Sequence, residues 1–361
     1  MSHYEERLET DLKQIRERVA EMAGMVEEAV NNSVHALRTG NLKLASATIL
    51  ADHPVNRLMR EIDQLCHGFI ARHLPSAGHL RFLSSVIRAN IQLERIGDYA
   101  VTIAREAIQL QVAPAGMLAR ELDRVAGETQ LMLRQAMTAF NELNADTARS
   151  TMVLEEQMEH DLDAIYAELA TNDDREKVKG VLAIFAVFTQ LKRIADQAKN
   201  ICEETVFAVT GDTKAPKVYN IHFIDEDNSC QSQIAEAIAR KNFPESGNYS
   251  SGGRSEAPEL NQAMVEFMDR HGVSMEKAVP KPLDQTPLDL SILHVIVSLQ
   301  GPVHSYFSQI PFHTTPLEWD IGSAPAGTGT ESDERRLEEM YHDIALQVSD
   351  LMEILRGEGA S

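Results

Sequence analysis

Two stretches decide how the first half of this chain folds: Leu93-Glu94-Arg95-Ile96-Gly97-Asp98 and Leu191-Lys192-Arg193-Ile194-Ala195-Asp196. They belong to a longer match at an offset of 98 residues. Gln92/Gln190, Leu93/Leu191, Arg95/Arg193, Ile96/Ile194, Asp98/Asp196, Ala100/Ala198, Ile103/Ile201 and Glu106/Glu204 are identical pairs. These identities include charged positions, so shared amphipathic composition does not account for them. The region reads as two copies of one helical unit, residues 1–112 and 113–210.

Working outward, the periodicity is helical. Leu8, Leu12, Ile15, Val19, Met22 and Val26 recur in steps of four and three. Val55, Leu58, Ile62, Leu65 and Phe69 do the same, as do Leu118, Leu122, Val125, Thr129, Met132, Ala136, Ala139 and Leu143. Each set puts a mainly apolar stripe on one helix face, at the spacing of bundle packing. Breaks are expected at Gly40-Asn41, Pro75 to Gly78, Pro114 to Gly116, Asn144 to Asp146 and Asn172 to Asp174, giving about six long helices. Only three prolines (Pro54, Pro75, Pro114) fall before residue 212, and ten follow. Because proline costs ~3 kcal/mol inside a helix, the change in density marks a boundary. Thr210-Gly211-Asp212-Thr213-Lys214-Ala215-Pro216 supplies it, with 211–216 as linker.

Residues 217–361 change period. Val218 to Ile224 and Leu290 to Leu299 are rich in β-formers, whereas Ser232 to Arg240, Leu260 to His271 and Glu331 to Leu355 read as helices. Strands alternating with helices predict an α/β domain with a parallel sheet, after an all-α part of two tandem three-helix repeats. Glu245 to Arg254 (ESGNYSSGGR) reads as a flexible Ser/Gly loop.

Charge narrows the function. The 361 residues carry a formal charge of −21, which argues against nucleic-acid and anionic-membrane surfaces as partners. Three scattered cysteines do not make a disulfide framework. The polar start, Met1 to Glu9, does not read as a secretory signal, and the apolar run Ile292 to Leu299 is far short of the ~18–20 residues that span a bilayer. The expectation is a cytoplasmic protein without direct membrane insertion.

Glu94 and Asp98 lie four apart and stack on one helix face beside the buried stripe. Like charges at this spacing repel, and a cation bridging their oxygens turns repulsion into ligation, a role suited to magnesium, manganese or iron. The alternative is a solvated acidic edge balanced by Arg95 or Arg105. These helices are also where residues 1–210 resemble the PhoU family of phosphate-uptake regulators, together with the opening pattern from Arg7 to Thr39. The resemblance implies two three-helix repeats, whose third helices carry Glu-x-x-x-Asp-x-x-x-Asn and bind iron or zinc clusters. The first copy keeps Glu94 and Asp98 and has Thr102 in place of Asn; the second keeps Asp196 and Asn200 and has Lys192 in place of Glu. The resemblance further implies contact with the ATPase of a phosphate-specific ABC transporter, with a sensor histidine kinase, and with a second copy as a homodimer.

The second part resembles low-molecular-weight tyrosine phosphatases and arsenate reductases. Ile221-His222-Phe223-Ile224 leads into Asp225-Glu226-Asp227-Asn228-Ser229-Cys230-Gln231-Ser232 and then Ala235-Glu236-Ala237, where that fold has a strand, a phosphate loop and a helix. Ser250 to Gly253, Arg270 to Val273 and Lys281 to Leu283 fall where it has related segments. Such enzymes need a thiolate nucleophile and a phosphate-clamping arginine. Asp225 stands at the nucleophile position and Gln231 at the arginine position, and Asp225, Glu226 and Asp227 crowd negative charge where an anion docks. A close like-charge pair costs about 4 kcal/mol at an effective dielectric of about 20. The reading is an inactive domain kept for interaction, with no catalytic residues; the rival is a phosphatase or arsenate reductase carrying a helical regulator.

Overall fold

The computed structural model describes residues 3–110, 113–114, 116–154, 178–213, 216–255, 259–283, 288–311, 313–325 and 330–357. Two separate units emerge, residues 1–214 and 215–361.

The first unit is all-α. Its helices are α1 (His3–Thr39), α2 (Leu42–His73), α3 (Ala77–Leu110), α4 (Gly116–Glu142), α5 (residues 145–154 as described) and α6 (Val178–Thr210). The predicted stripes form its core: Ile15, Val19, Met22, Ile62, Phe69, Leu93, Ile96, Met132, Leu191 and Ile194 are buried in one cluster. Gly40, at φ +64°, turns the chain between α1 and α2, and the Asn41 side chain accepts from Leu44 N at 3.0 Å to cap α2. α2 runs through Pro54 without ending, then stops at Leu74 in a left-handed conformation just before Pro75. Connections this short force successive helices to reverse. α3 packs on α1 and α2 within its own repeat and on α6 across the repeats, so the two motif-bearing helices are neighbours. Arg193 of α6 lies over the Tyr99 ring of α3, 5.8 Å from its centroid. The break expected at Asn172 to Asp174 lies outside the described residues.

The second unit is α/β. Its strands are β1 (Tyr219–Asp225), β2 (Gly247–Gly253), β3 (Val295–Ser298) and β4 (Thr315–Glu318), in the order β2-β1-β3-β4 and parallel throughout. Its helices are α7 (Gln231–Asn242), α8 (Gln262–Arg270) and α9 (Glu331–Arg356). Ile221 and Phe223 of β1 point into a core with Ile234, Phe267, Leu337 and Ile344 from the three helices. Ile224 points to the other face, with Ile296 and Val303. Both faces are covered, as a parallel sheet requires. Two expectations are corrected. Glu245 to Arg254 holds strand β2 rather than a flexible loop, because Gly247 to Gly253 pair in register with Tyr219 to Asp225. Leu290 to Leu299 is not one strand: the Asp289 carboxylate accepts from Ser291 N at 3.0 Å and starts a 3-10 turn over Leu290–Ile292, so β3 begins only at Val295.

Among the described residues no helix is long and apolar enough to cross a membrane. Cys66, Cys202 and Cys230 are buried and free.

Candidate functional site

On α3, Glu94 is half-buried and Asp98 exposed, one helical turn apart. The structure adds a third carboxylate, Asp52 from α2. Gly97 makes the approach close: a Cβ there would lie 3.3 Å from Asp52 Oδ1 and 3.8 Å from a Val55 methyl. Asp52 Oδ2 accepts from Asn56 Nδ2 at 2.6 Å, while Oδ1 is buried without a hydrogen-bond partner. Burial, and then the Asp98 charge, raise Asp52 above the usual carboxylate range. Glu94 is raised by burial first, then by Asp98 and Asp52, with Arg95 opposing. Burial and neighbouring carboxylates thus disfavour the charged forms of Asp52 and Glu94 beside an orphan oxygen, so donor type and charge suit a hard cation. As they stand, no group of three His, Cys, Asp or Glu side chains among the described residues is arranged to hold a metal ion. Thr102 donates its hydroxyl to the Asp98 carbonyl at 3.0 Å, an ordinary helix bond.

Asp52 has no counterpart that the repeat could have exposed, since Ser150 stands 98 residues later. In the second copy, Asp196 and Asn200 are half-buried on α6, as is Lys192 one turn before Asp196. Gln197 beside them is buried with its Oε1 lacking a hydrogen-bond partner. An ammonium there changes the balance of that face, where the first copy places Glu94.

The other candidate is the loop between β1 and α7. Asp225 is buried, and its carboxylate turns inward: Asn228 N donates to Oδ1 at 2.5 Å and Ser232 N to Oδ2 at 2.9 Å. The Asp227 carboxylate accepts from Ser229 N at 3.0 Å. Asn228, left-handed at φ 55°, locks the turn: its Nδ2 donates to Ser232 Oγ at 2.8 Å, and its Oδ1 accepts from Gln233 Nε2 at 2.8 Å and Lys281 N at 2.9 Å. Backbone N–H groups entering a helix form a natural anion cradle. Here that cradle is filled by the chain's own carboxylate. Burial raises Asp225 to about 6, against the loop's hydrogen bonds. Gln231 donates to the Gly322 carbonyl, and Cys230 is buried with its thiol pushed far up, first by burial and then by Asp225 and Asp227. A thiol in that setting is not a nucleophile.

Comparison with known proteins follows the same division. The family described as PhoU domain matches residues 19–107 and 122–205, and that described as low molecular weight phosphotyrosine protein phosphatase matches 220–310. A phosphate-specific transport system accessory protein PhoU homolog from Pseudomonas putida is 33% identical over 214 residues, covering 58% of this chain and 83% of that protein. The crystal structure of PhoU from Pseudomonas aeruginosa superposes with a TM-score of 0.55 at 33% identity, covering 56% of this chain and 99% of that one. The phosphate transport system regulatory protein PhoU from Streptococcus pneumoniae gives 0.54 at 25% identity, covering 58% and 99%. With the repeat, the bundle and nearly the whole length of such relatives accounted for, the chain belongs to the PhoU family, extended by a phosphatase-like α/β unit.

Proposed function

We propose that this protein regulates phosphate uptake and phosphate signalling from the cytoplasm. It does so as a homodimer that contacts the ATPase of a phosphate-specific ABC transporter and a sensor histidine kinase. The observation that carries the reading is the match of the helical unit to most of the length of accessory proteins named for phosphate-specific transport. Affinity capture from cells grown with scarce and abundant phosphate tests it. The ATPase and the kinase are expected among the captured proteins, in amounts that follow phosphate supply; capture of neither overturns the reading.

Within this reading the helical unit takes up a transition metal ion, iron or zinc, with magnesium or manganese as alternatives. Glu94, Asp98 and Asp52 would hold it in the first repeat, and Asp196 and Asn200 in the second. The ion would neutralise the mutual repulsion of the first three acids and engage the orphan Asp52 oxygen; this is what supports the first position. Lys192 makes the second the weaker one. Asp98→Ala and Asp52→Asn are each expected to lower the metal content of purified protein by half or more in elemental analysis. Unchanged content in both removes the assignment.

The α/β unit acts as an inactive phosphatase relative, retained as a partner surface. The inward Asp225 carboxylate supports this, because it uses the amides a phosphoryl group would need. The phosphatase family match favours a second reading, an active phosphatase or arsenate reductase. Hydrolysis of an aryl phosphate separates them. The wild type is expected to show no turnover above buffer; turnover that Cys230→Ser abolishes would establish the enzyme.

A further inference from the structure

A cleft of about 410 Å³ runs along α7, and its walls are basic in a protein of charge −21. Arg240 and Lys241 enter from the last turn of α7, Lys277 and Lys281 from the segment after α8. The one acidic side chain lining it, Glu236, is already engaged: Oε1 faces Arg240 at 2.8 Å, and Oε2 accepts from Ser251 Oγ at 2.6 Å and faces Lys281 at 3.6 Å. Four cations against one carboxylate leave the lining with a net charge of +3. Lys241 donates to the His271 and Gly272 carbonyls at 3.1 and 3.4 Å, which accounts for it as a cap on the end of α8. Helix dipoles do not account for Lys277 and Lys281, which lie on no helix. Lys277 is exposed and makes no ion pair or hydrogen bond among the described residues. Ala237 and Met275 add apolar surface to the lining.

We propose that this cleft binds a small phosphorylated anion. A phosphoryl group carries about −1.5 to −2 at neutral pH, so one or two of them match a +3 lining, and a carboxylate of similar total charge tests whether charge alone decides. Lysines suit phosphoryl oxygens as mobile point charges. The volume lies in the range of small-ligand sites, about 300–1,000 Å³. At one end the cleft abuts the Asp225 loop, because Gln233 Nε2 and Lys281 N both donate to Asn228 Oδ1; its basic end is farther off, with Arg240 nine residues, about 14 Å, along the helix from Gln231. The proposal does not depend on the regulatory reading above.

The same chemistry is offered by a nucleotide and by a free phosphate chain, and titration calorimetry on the full chain distinguishes them. AMP, ATP, orthophosphate and tripolyphosphate are titrated in turn, with citrate as the carboxylate control. At least one phosphorylated probe is expected to bind more tightly than citrate. Preference for ATP over tripolyphosphate assigns a nucleotide, and the reverse a phosphate chain. Lys277→Glu is expected to weaken binding about tenfold or more, since it reverses a charge facing the ligand. Lys277 supports nothing in the fold, so the variant remains folded, as thermal melting would verify. Lys43→Glu, the same charge change in the helical unit, is expected to leave affinity within about twofold. No binding by any phosphorylated probe, citrate binding as tightly, or equal losses in the two variants would overturn the proposal.

Discussion

Asp225→Asn removes from the second unit's stability the contribution that falls between about pH 4 and pH 6, leaving the opposite contribution of buried His222, whose pKa is lowered to about 3. Burial places the Asp225 carboxyl at about 6 in the folded protein, against 3.8 when unfolded. Between these values the folded state holds a proton that the unfolded state has released. Asp225 therefore contributes most favourably below about pH 4, and that contribution is lost as pH rises through 6. The span is worth about 3 kcal/mol, and the residue is 2% exposed, so solvent screening does not erode it. At neutral pH the ionised group is thus a cost, tolerated because it accepts from Asn228 N and Ser232 N. Asn removes the charge and keeps one acceptor, while its amide meets the second N–H donor to donor, at about 1–3 kcal/mol. The single tryptophan, Trp319, packs 6.0 Å from the Phe223 ring in this unit, so its fluorescence reads unfolding there alone. Urea melts of wild type and variant across pH 4–7 are expected to diverge by about 3 kcal/mol. Parallel curves would show that the carboxylate is not the titrating group.

What could be read from the chain before its structure divides along one physical line. Features repeated along a single helix were legible. The stripe Ile15, Val19, Met22, Val26 and the doubled Arg-Ile-(Gly/Ala)-Asp helix required only the helical period, and they gave the bundle and its internal symmetry. Features made by one segment arriving beside another were not. Asp52 joins Glu94 and Asp98 only because α2 crosses α3 at Gly97, and nothing in the spacing of residues 42–73 marks it. Strand β2 was concealed for a related reason. Its Ser/Gly composition is that of a loop, yet Gly252 and Gly253 are what allow His222, Leu283 and the Asp227-Asn228 backbone to pack against it. The acidic loop was half legible: its charge was plain, and its hostility to phosphate was read as repulsion. The structure gives a more specific cause, since the Asp225 carboxylate itself occupies the amides. Which of three neighbouring acids turns inward depends on the strand parity of β1 and on Asn228, not on composition.

Gly253→Ala is expected to be the more damaging of the two substitutions. Gly253 ends β2 opposite Asp225 in the parallel register. Its N–H donates to the Lys281 carbonyl at 2.9 Å, and its carbonyl accepts from Leu283 N at 2.8 Å, so the residue is pinned on one side by the 281–283 segment. On the other side a Cβ would lie 2.5 Å from Asn228 N, 2.5 Å from the Asp227 carbonyl carbon and 2.8 Å from Asp227 Cα. All three atoms are backbone, and Asn228 N is the group that donates to Asp225. Relief requires moving the turn, which lengthens that bond and exposes the buried acid, or pulling β2 from the sheet edge. Overpacking of this kind costs about 1–3 kcal/mol where side chains can yield. With backbone on both sides, and a charged hydrogen bond at stake, about 3–5 kcal/mol is expected. The Trp319-reported melting temperature should then fall by roughly 10 °C or more, while the far-UV signal of the helical unit is unchanged. Gly252→Ala is the internal control. Its Cβ would meet the Leu283 Cδ2 methyl at 2.9 Å and His222 Nε2 at 3.1 Å, both side-chain rather than backbone atoms. It is expected to cost less than half as much. Equal losses at the two positions would mean that the turn yields as readily as a side chain, and that the Asp225 cradle is not the rigid element of the second unit.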